Sequence, residues 1–126
     1  MNDKILQYKL KGYCCSQIIT AMGLEAMGLE NPDYVKASAG LCFGLGHGKD
    51  CGIVSAALCL MYLGDPEKAH RGLADDFIAW FESEFESIQC EELLGSNPLN
   101  KVEKCPMMIE NAFLKLSDLM DWDLDQ

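Results

Sequence analysis

Cys51-Gly52-Ile53-Val54-Ser55-Ala56-Ala57-Leu58-Cys59-Leu60-Met61-Tyr62-Leu63 is the stretch on which the fold turns. A helix built from it is apolar on nearly every face, and such a helix belongs in the middle of a core. It is too short to cross a bilayer, which takes about 20 residues. The expectation is therefore a central helix with amphipathic helices packed around it. Asp50 is placed to cap its start, and Gly64-Asp65-Pro66 to end it and open the next helix.

Working outward, the glycine-rich run Gly44-Leu45-Gly46-His47-Gly48-Lys49-Asp50 forms a loop upstream. Before it, Asn31-Pro32 is an N-cap followed by proline at the first helical position, starting a helix through about Leu41. Cys15, Ile18, Ile19, Met22 and Ala26 recur at helical spacing in a helix from Tyr13 to about Met27. Ile5, Leu6, Tyr8 and Leu10 mark a short leading helix that stops at Gly12. Downstream, Glu67 to Phe85 is amphipathic. Leu73, Phe77, Trp80, Phe81 and Phe85 form its inner stripe, with Asp75, Asp76, Glu82, Glu84 and Glu86 outward. Cys90-Glu91-Glu92-Leu93-Leu94 is a short helix closing at Gly95. Cys105-Pro106 begins the last helix, with Met108, Ile109, Ala112, Phe113, Leu116 and Leu119 inward. The tail from Asp121 to Asp125 reads as frayed. Strand signals are nearly absent, so the fold class is all-α: one helical bundle of five to six helices over residues 1–126, without repeat or linker.

With 126 residues and 49% apolar content, the chain is long enough for one domain with a real core. Its net charge of −10 repels phosphate backbones and anionic lipid, which argues against nucleic-acid and membrane-surface roles and otherwise reads as solubility. The run from Met1 to Lys9 lacks the apolar core of a signal peptide. The expectation is a cytoplasmic protein, without membrane insertion, whose thiols are reduced by default. The apolar central helix fits a monomer core and a homodimer interface equally well.

Against that background the chain carries seven cysteines and no Cys-x-x-Cys pair. So many thiols in a cytosolic chain point to metal binding or redox chemistry rather than to structural disulfides. Cys15, Cys51, Cys90 and Cys105 fall at expected helix starts, where unsatisfied N–H groups and the macrodipole favour thiolate. Thiolate is both the nucleophile and the metal ligand. Cys42 falls at a helix C-terminus and Cys59 inside an apolar helix, positions where a thiol serves as a small packing hydrophobe. Cys14 adjoins Cys15 but must face elsewhere.

Gly12-Tyr13-Cys14-Cys15-Ser16-Gln17, the glycine-rich loop running into Cys51-Gly52-Ile53-Val54-Ser55-Ala56, Cys90-Glu91-Glu92-Leu93-Leu94-Gly95 and Cys105-Pro106 together resemble the C_GCAxxG_C_C family of redox-active proteins. The resemblance runs from about Gly12 to Leu116 and rests on the order and placement of four cysteines. It carries over to Cys15, Cys51, Gly52, Cys90 and Cys105. The central motif departs at Ile53, where the family has alanine, and at Ala56, where it has glycine. The family is similar to a domain of split-Soret cytochrome c, for which an iron–sulfur centre has been proposed. No Cys-x-x-Cys-His haem attachment occurs here, so no haem is implied.

Three functions follow as expectations. The first is a redox protein whose Cys15, Cys51, Cys90 and Cys105 converge on a metal. A [2Fe–2S] cluster would mean electron transfer, and zinc in tetrahedral sulfur geometry a structural site. The second is a thiol–disulfide or sulfur-transfer protein pairing Cys51 with Cys15, or Cys90 with Cys105, and acting on a redox partner protein or a small sulfur species. The third is a helical interaction module with structural cysteines and Met107-Met108 as an adaptable surface. Gly46, Gly48 and Gly52 are candidates for backbone approach to a cofactor, although the loop matches no nucleotide fingerprint. His47 is read chiefly as a bystander, and His70, among Lys68 and Arg71, as part of a solvated face.

Overall fold

The computed structural model describes residues 2–95 and 99–122. Helix α1 (Asn2–Leu10) turns at Gly12, where φ is +89°, into α2 (Cys15–Ala26). Asn31 caps α3 (Pro32–Ala37) by accepting the Tyr34 N–H at 3.0 Å, and a tighter turn, Ser38–Leu41, continues it. The irregular glycine loop over Gly44–Gly48 leads into α4 (Gly52–Gly64). Asp65 caps α5 (Pro66–Lys68), which passes through Ala69–Leu73 into α6 (Ala74–Phe85). The short α7 (Cys90–Leu94) and the long α8 (Leu99–Met120) follow. Among the described residues there is no strand, only the single antiparallel bridge between Asp50 and Gln89. The chain is all-α.

α4 is the central element. It packs on α2, α6 and α8, and Ile53, Ala56, Ala57, Leu60 and Met61 are sealed from solvent. Phe77 and Phe81 of α6 and Ile109 and Leu116 of α8 are sealed in the same core. Each such side chain contributes about 1.5–3 kcal/mol on leaving water. The acids expected on the outer face of α6, Asp75, Asp76, Glu82, Glu84 and Glu86, are all exposed.

Two close approaches set the direction of the central helices. A side chain at Gly52 would meet Ser16 Cβ at 3.2 Å, and one at Gly23 would meet Leu60 Cδ1 at 2.6 Å. Residues 16 and 23 thus face 52 and 60 in the same order, so α2 and α4 run parallel. At their far ends Gly64 faces Met27 and Met120, whose sulfur and methyl atoms lie 3.0 Å from where its Cβ would be. The C-terminal ends of α2, α4 and α8 therefore meet at one pole, and their N-terminal halves point to the other.

Four expectations are corrected. α8 does not begin at Cys105: it starts at Leu99 and carries Pro106 inside it. A proline forfeits one backbone bond there, a local cost that the buried stripe of Met108, Ile109, Ala112, Phe113 and Leu116 outweighs. The segment from Glu67 to Phe85 is not one smooth helix, because the backbone opens at Gly72, where φ is +151°. Cys59 is not buried; it lies on the outer side of α4, near the hydroxyl of Tyr34. Trp122 is not frayed but packs on Phe113 with ring centroids 6.1 Å apart. The rest of the expected frayed tail, residues 123–125, lies outside the described residues.

Candidate redox site

The site is assembled by helix starts brought to one pole. Cys15 is the first residue of α2, and Cys51 is the N-cap residue of α4. Asp50 does not cap α4 as expected. Its carboxylate instead accepts a hydrogen bond from Gln89 Nε2 at 2.8 Å. That contact belongs to a short antiparallel pairing: Cys51 N–H donates to Ile88 O at 2.7 Å, and Cys90 N–H donates to Lys49 O at 2.7 Å. In it Cys51 stands opposite Ile88 and Cys90 opposite Lys49, so the two cysteines are diagonal across the bridge although 39 residues separate Asp50 from Gln89. It also satisfies backbone groups that a buried loop would otherwise leave without partners.

Cys51 is almost wholly buried, at 4% exposure. Burial pushes its thiol up from an ordinary 9.0 to about 12, and the neighbouring Cys15 adds to the rise. The amides of Ile53 and Val54, in the first turn of α4, pull the other way, and Cys90 contributes a further rise. Cys15 and Cys90 therefore each lie within electrostatic reach of Cys51. Cys51 is thus a protonated thiol at neutral pH, in spite of its helix-start position.

Cys105 enters through the register of α8. At 1.5 Å per residue, Cys105 stands about 22 Å from Met120, Cys51 about 20 Å from Gly64 and Cys15 about 18 Å from Met27. Since Met27, Gly64 and Met120 meet at one pole, the three cysteines lie away from that pole. Lys104, beside Cys105, reaches α7 with its Nζ donating to Leu93 O at 3.2 Å. Cys51, Cys90, Leu93 and Cys105 are buried in the same core cluster. Among the described residues, no group of three or more His, Cys, Asp and Glu side chains is arranged to hold a metal ion.

Gly44, Gly48 and Gly52 stand at close approaches within the chain. A Cβ at Gly44 would sit 2.4 Å from the Lys49 backbone, and one at Gly48 would sit 3.1 Å from Glu91 Cβ. At Gly52 it would meet Leu41 O at 2.6 Å. Gly46, with φ +75°, borders open space. Phe43 and Leu45 adopt left-handed φ values of 54° and 63°, which no local pattern announces. His47 is exposed, and its Nδ1 lies 3.0 Å from Leu45 O within the same loop.

Sequence reasoning missed one pair. Cys42 was expected to be a packing residue; instead its sulfur meets that of Cys14 as a disulfide, with Cα atoms 6.0 Å apart across 28 residues. Cys14 is the N-cap residue of α2, and Cys42 closes the turn after α3. Cys14 precedes the helix in extended backbone and its side chain meets Cys42, while Cys15, the first helical residue, lies near Cys51. No periodicity links positions 14 and 42, and only the fold of residues 31–42 against α2 brings them together.

A helical bundle with cysteines gathered at the N-terminal pole of its central helices defines a helical cysteine protein. The family model C_GCAxxG_C_C, described as "Putative redox-active protein", matches residues 13–119. The chain belongs to that family. No curated protein and no solved structure matches it. Its family-motif positions Ile53 and Ala56 are both fully buried in the central helix. No helix of the described residues is long and apolar enough to cross a membrane.

Proposed function

We propose that the protein performs thiol–disulfide redox chemistry at this pole, with Cys15 and Cys51 as the couple. The observation that carries the reading is the close approach of the starts of α2 and α4, where a Cβ on Gly52 would lie 3.2 Å from Ser16 Cβ and Cys15 lies within electrostatic reach of Cys51. Cys15 is half-buried at the first turn of α2 and is the member that solvent reaches. Its thiolate attacks a substrate disulfide, one substrate sulfur leaves as thiolate, and a mixed disulfide remains. The Cys51 sulfur then displaces the second substrate sulfur, with its proton passing to a departing thiolate. The protein ends with one S–S bond and the substrate with two thiols. Burial favours this outcome at Cys51, because a disulfide is neutral and a thiolate is not.

Alkylation mapping after treatment of the reduced protein with a small disulfide tests the reading. The expected products are a Cys15–Cys51 bond in the native chain and a mixed disulfide on Cys15 in Cys51→Ser. If Cys15 and Cys51 both stay alkylatable in excess disulfide, the reading falls.

A second reading, a metal–thiolate centre, is favoured by the burial of Cys51, Cys90 and Cys105 in one core cluster. A soft cation is what converts buried thiols to thiolates, and its binding releases their protons. Zinc or a [2Fe–2S] cluster held by Cys15, Cys51, Cys90 and Cys105 would supply that charge. The donor types fit; the arrangement of the described side chains is not that of a cation cage, and no step is routed through a metal. Stoichiometric iron or zinc in anaerobically purified protein would replace the first reading with this one.

A further inference from the structure

Ser16 is fully buried and stands between the two sulfurs that lie outside the family's cysteine motif. Its Oγ lies 3.3 Å from Cys14 Sγ and 3.1 Å from Cys42 Sγ. Its hydroxyl proton is committed elsewhere, donated to Ser38 O at 2.7 Å. A hydroxyl has one donor and two acceptor lone pairs, so what faces the two sulfurs is acceptor capacity. Disulfide sulfurs have no proton to offer it. Two thiols have one each.

From this we infer that Cys14–Cys42 is a second redox couple, reversibly reduced by a dithiol, in which Ser16 stabilises the reduced form by accepting a hydrogen bond from each thiol. The inference does not depend on the chemistry of Cys15, Cys51, Cys90 and Cys105. In the forward step one thiolate of the dithiol attacks one sulfur of the pair, the Cys14–Cys42 bond breaks, and the released cysteine takes a proton from solvent. The second thiol of the reductant closes on the mixed disulfide and leaves as a cyclic disulfide. The second cysteine is then protonated in turn. Two electrons and two protons have reached the pair. A buried acceptor satisfied in only one redox state biases the couple toward that state, which is the property of a labile disulfide rather than a structural one.

The couple is also wired to the family site by contact. A Cβ on Gly52, the residue after Cys51, would touch Ser16 Cβ at 3.2 Å. The hydroxyl that senses Cys14 and Cys42 is therefore packed against the first turn of α4. Cys14 and Cys42 are half-buried, more open than Cys51, and a small dithiol needs only one of the two sulfurs.

The test is a redox equilibrium of the full chain against reduced and oxidised dithiothreitol, quenched by alkylation and read at Cys14 and Cys42 by mass spectrometry. Native protein is expected to interconvert fully. Ser16→Ala is expected to favour the disulfide about tenfold more, which corresponds to about 30 mV for a two-electron couple. Loss of the bond to Ser38 O affects both redox states alike and cancels from that comparison. An independent readout on native protein is the infrared S–H stretch of the reduced chain, assigned by difference with Cys14→Ser and Cys42→Ser. Both bands are expected at the lowered frequency of thiols that donate hydrogen bonds. An unchanged equilibrium in Ser16→Ala, a pair that stays oxidised in excess dithiol, or S–H bands at the frequency of thiols without an acceptor would each overturn the inference.

Discussion

Cys14 and Cys15 are separated by one peptide bond and belong to two different sulfur regions. Cys15 points into the pole where α2 and α4 start, beside a Cys51 thiol that burial holds protonated. Cys14 points to the half-buried pair with Cys42, against a serine oxygen with lone pairs to give. The contrast teaches that a helix start does not by itself decide what a thiol does. Solvent access and the nearest polar atom decide it, and at Cys51 burial outweighs the amides of the first turn.

The largest expected effect tests the buried side of that contrast. The folded chain keeps a proton on Cys51 up to about pH 12, whereas the ordinary thiol releases it near 9.0. The stabilisation is thus whole below pH 9.0 and falls away as pH rises toward about 12. At about 1.4 kcal/mol per unit, the loss is on the order of 4 kcal/mol. Urea unfolding across that range should show the decline in the native chain and a flatter curve in Cys51→Ala. An equally steep decline in both would take Cys51 out of the buried class and dissolve the contrast.

Next in size is Gly52→Ala, which presses a methyl against the Leu41 carbonyl and Ser16, the junction of the two regions. Overpacking against backbone should cost about 1–3 kcal/mol in denaturant unfolding. Gly23→Ala should cost less, because what its methyl meets is the movable end of Leu60. Equal costs would mean that the junction is no tighter than the rest of the α2–α4 contact.

Gln89→Ala removes the side-chain bond to Asp50 at the centre of the pairing of residues 49–51 with 88–90. A loss of about 0.5–1 kcal/mol is expected, with faster alkylation of Cys90 and unchanged reduction of Cys14–Cys42. Faster reduction of that pair would show that the two regions open together. The smallest effect belongs to Glu67→Ala, which removes an exposed ion pair with Arg71. It should shift stability by less than about 0.5 kcal/mol and leave alkylation of every cysteine unchanged.

Much of the fold was legible because its signals are local. Asn31 caps and Pro32 starts a helix, as their types predict. The apolar run from Cys51 to Leu63 is central through Ile53, Ala56, Ala57, Leu60 and Met61, while Cys59, Tyr62 and Leu63 stay exposed. The alternation on α6 separates Phe77 and Phe81 from the acids around them by helical period alone. Pro106 misled for the same local reason: a proline signals a helix start, but here a long buried stripe carries the helix straight through it. Asp50 misled because a capping residue and a cross-chain hydrogen-bond acceptor are the same side chain, and Gln89 lies too far along the sequence to be weighed.

What the sequence determined by itself is therefore the helices, the buried faces and the family, since periodicity, caps and motif order are properties of neighbouring residues. What only the tertiary structure decided is which sulfurs meet. The parallel run of α2 and α4 and the pairing of residues 49–51 with 88–90 place Cys15, Cys51 and Cys90 together. The fold of the segment after Asn31 delivers Cys42 to Cys14. Contacts across 28 residues or more come from packing against a shared core, and no local pattern encodes the partner at the far side of that core.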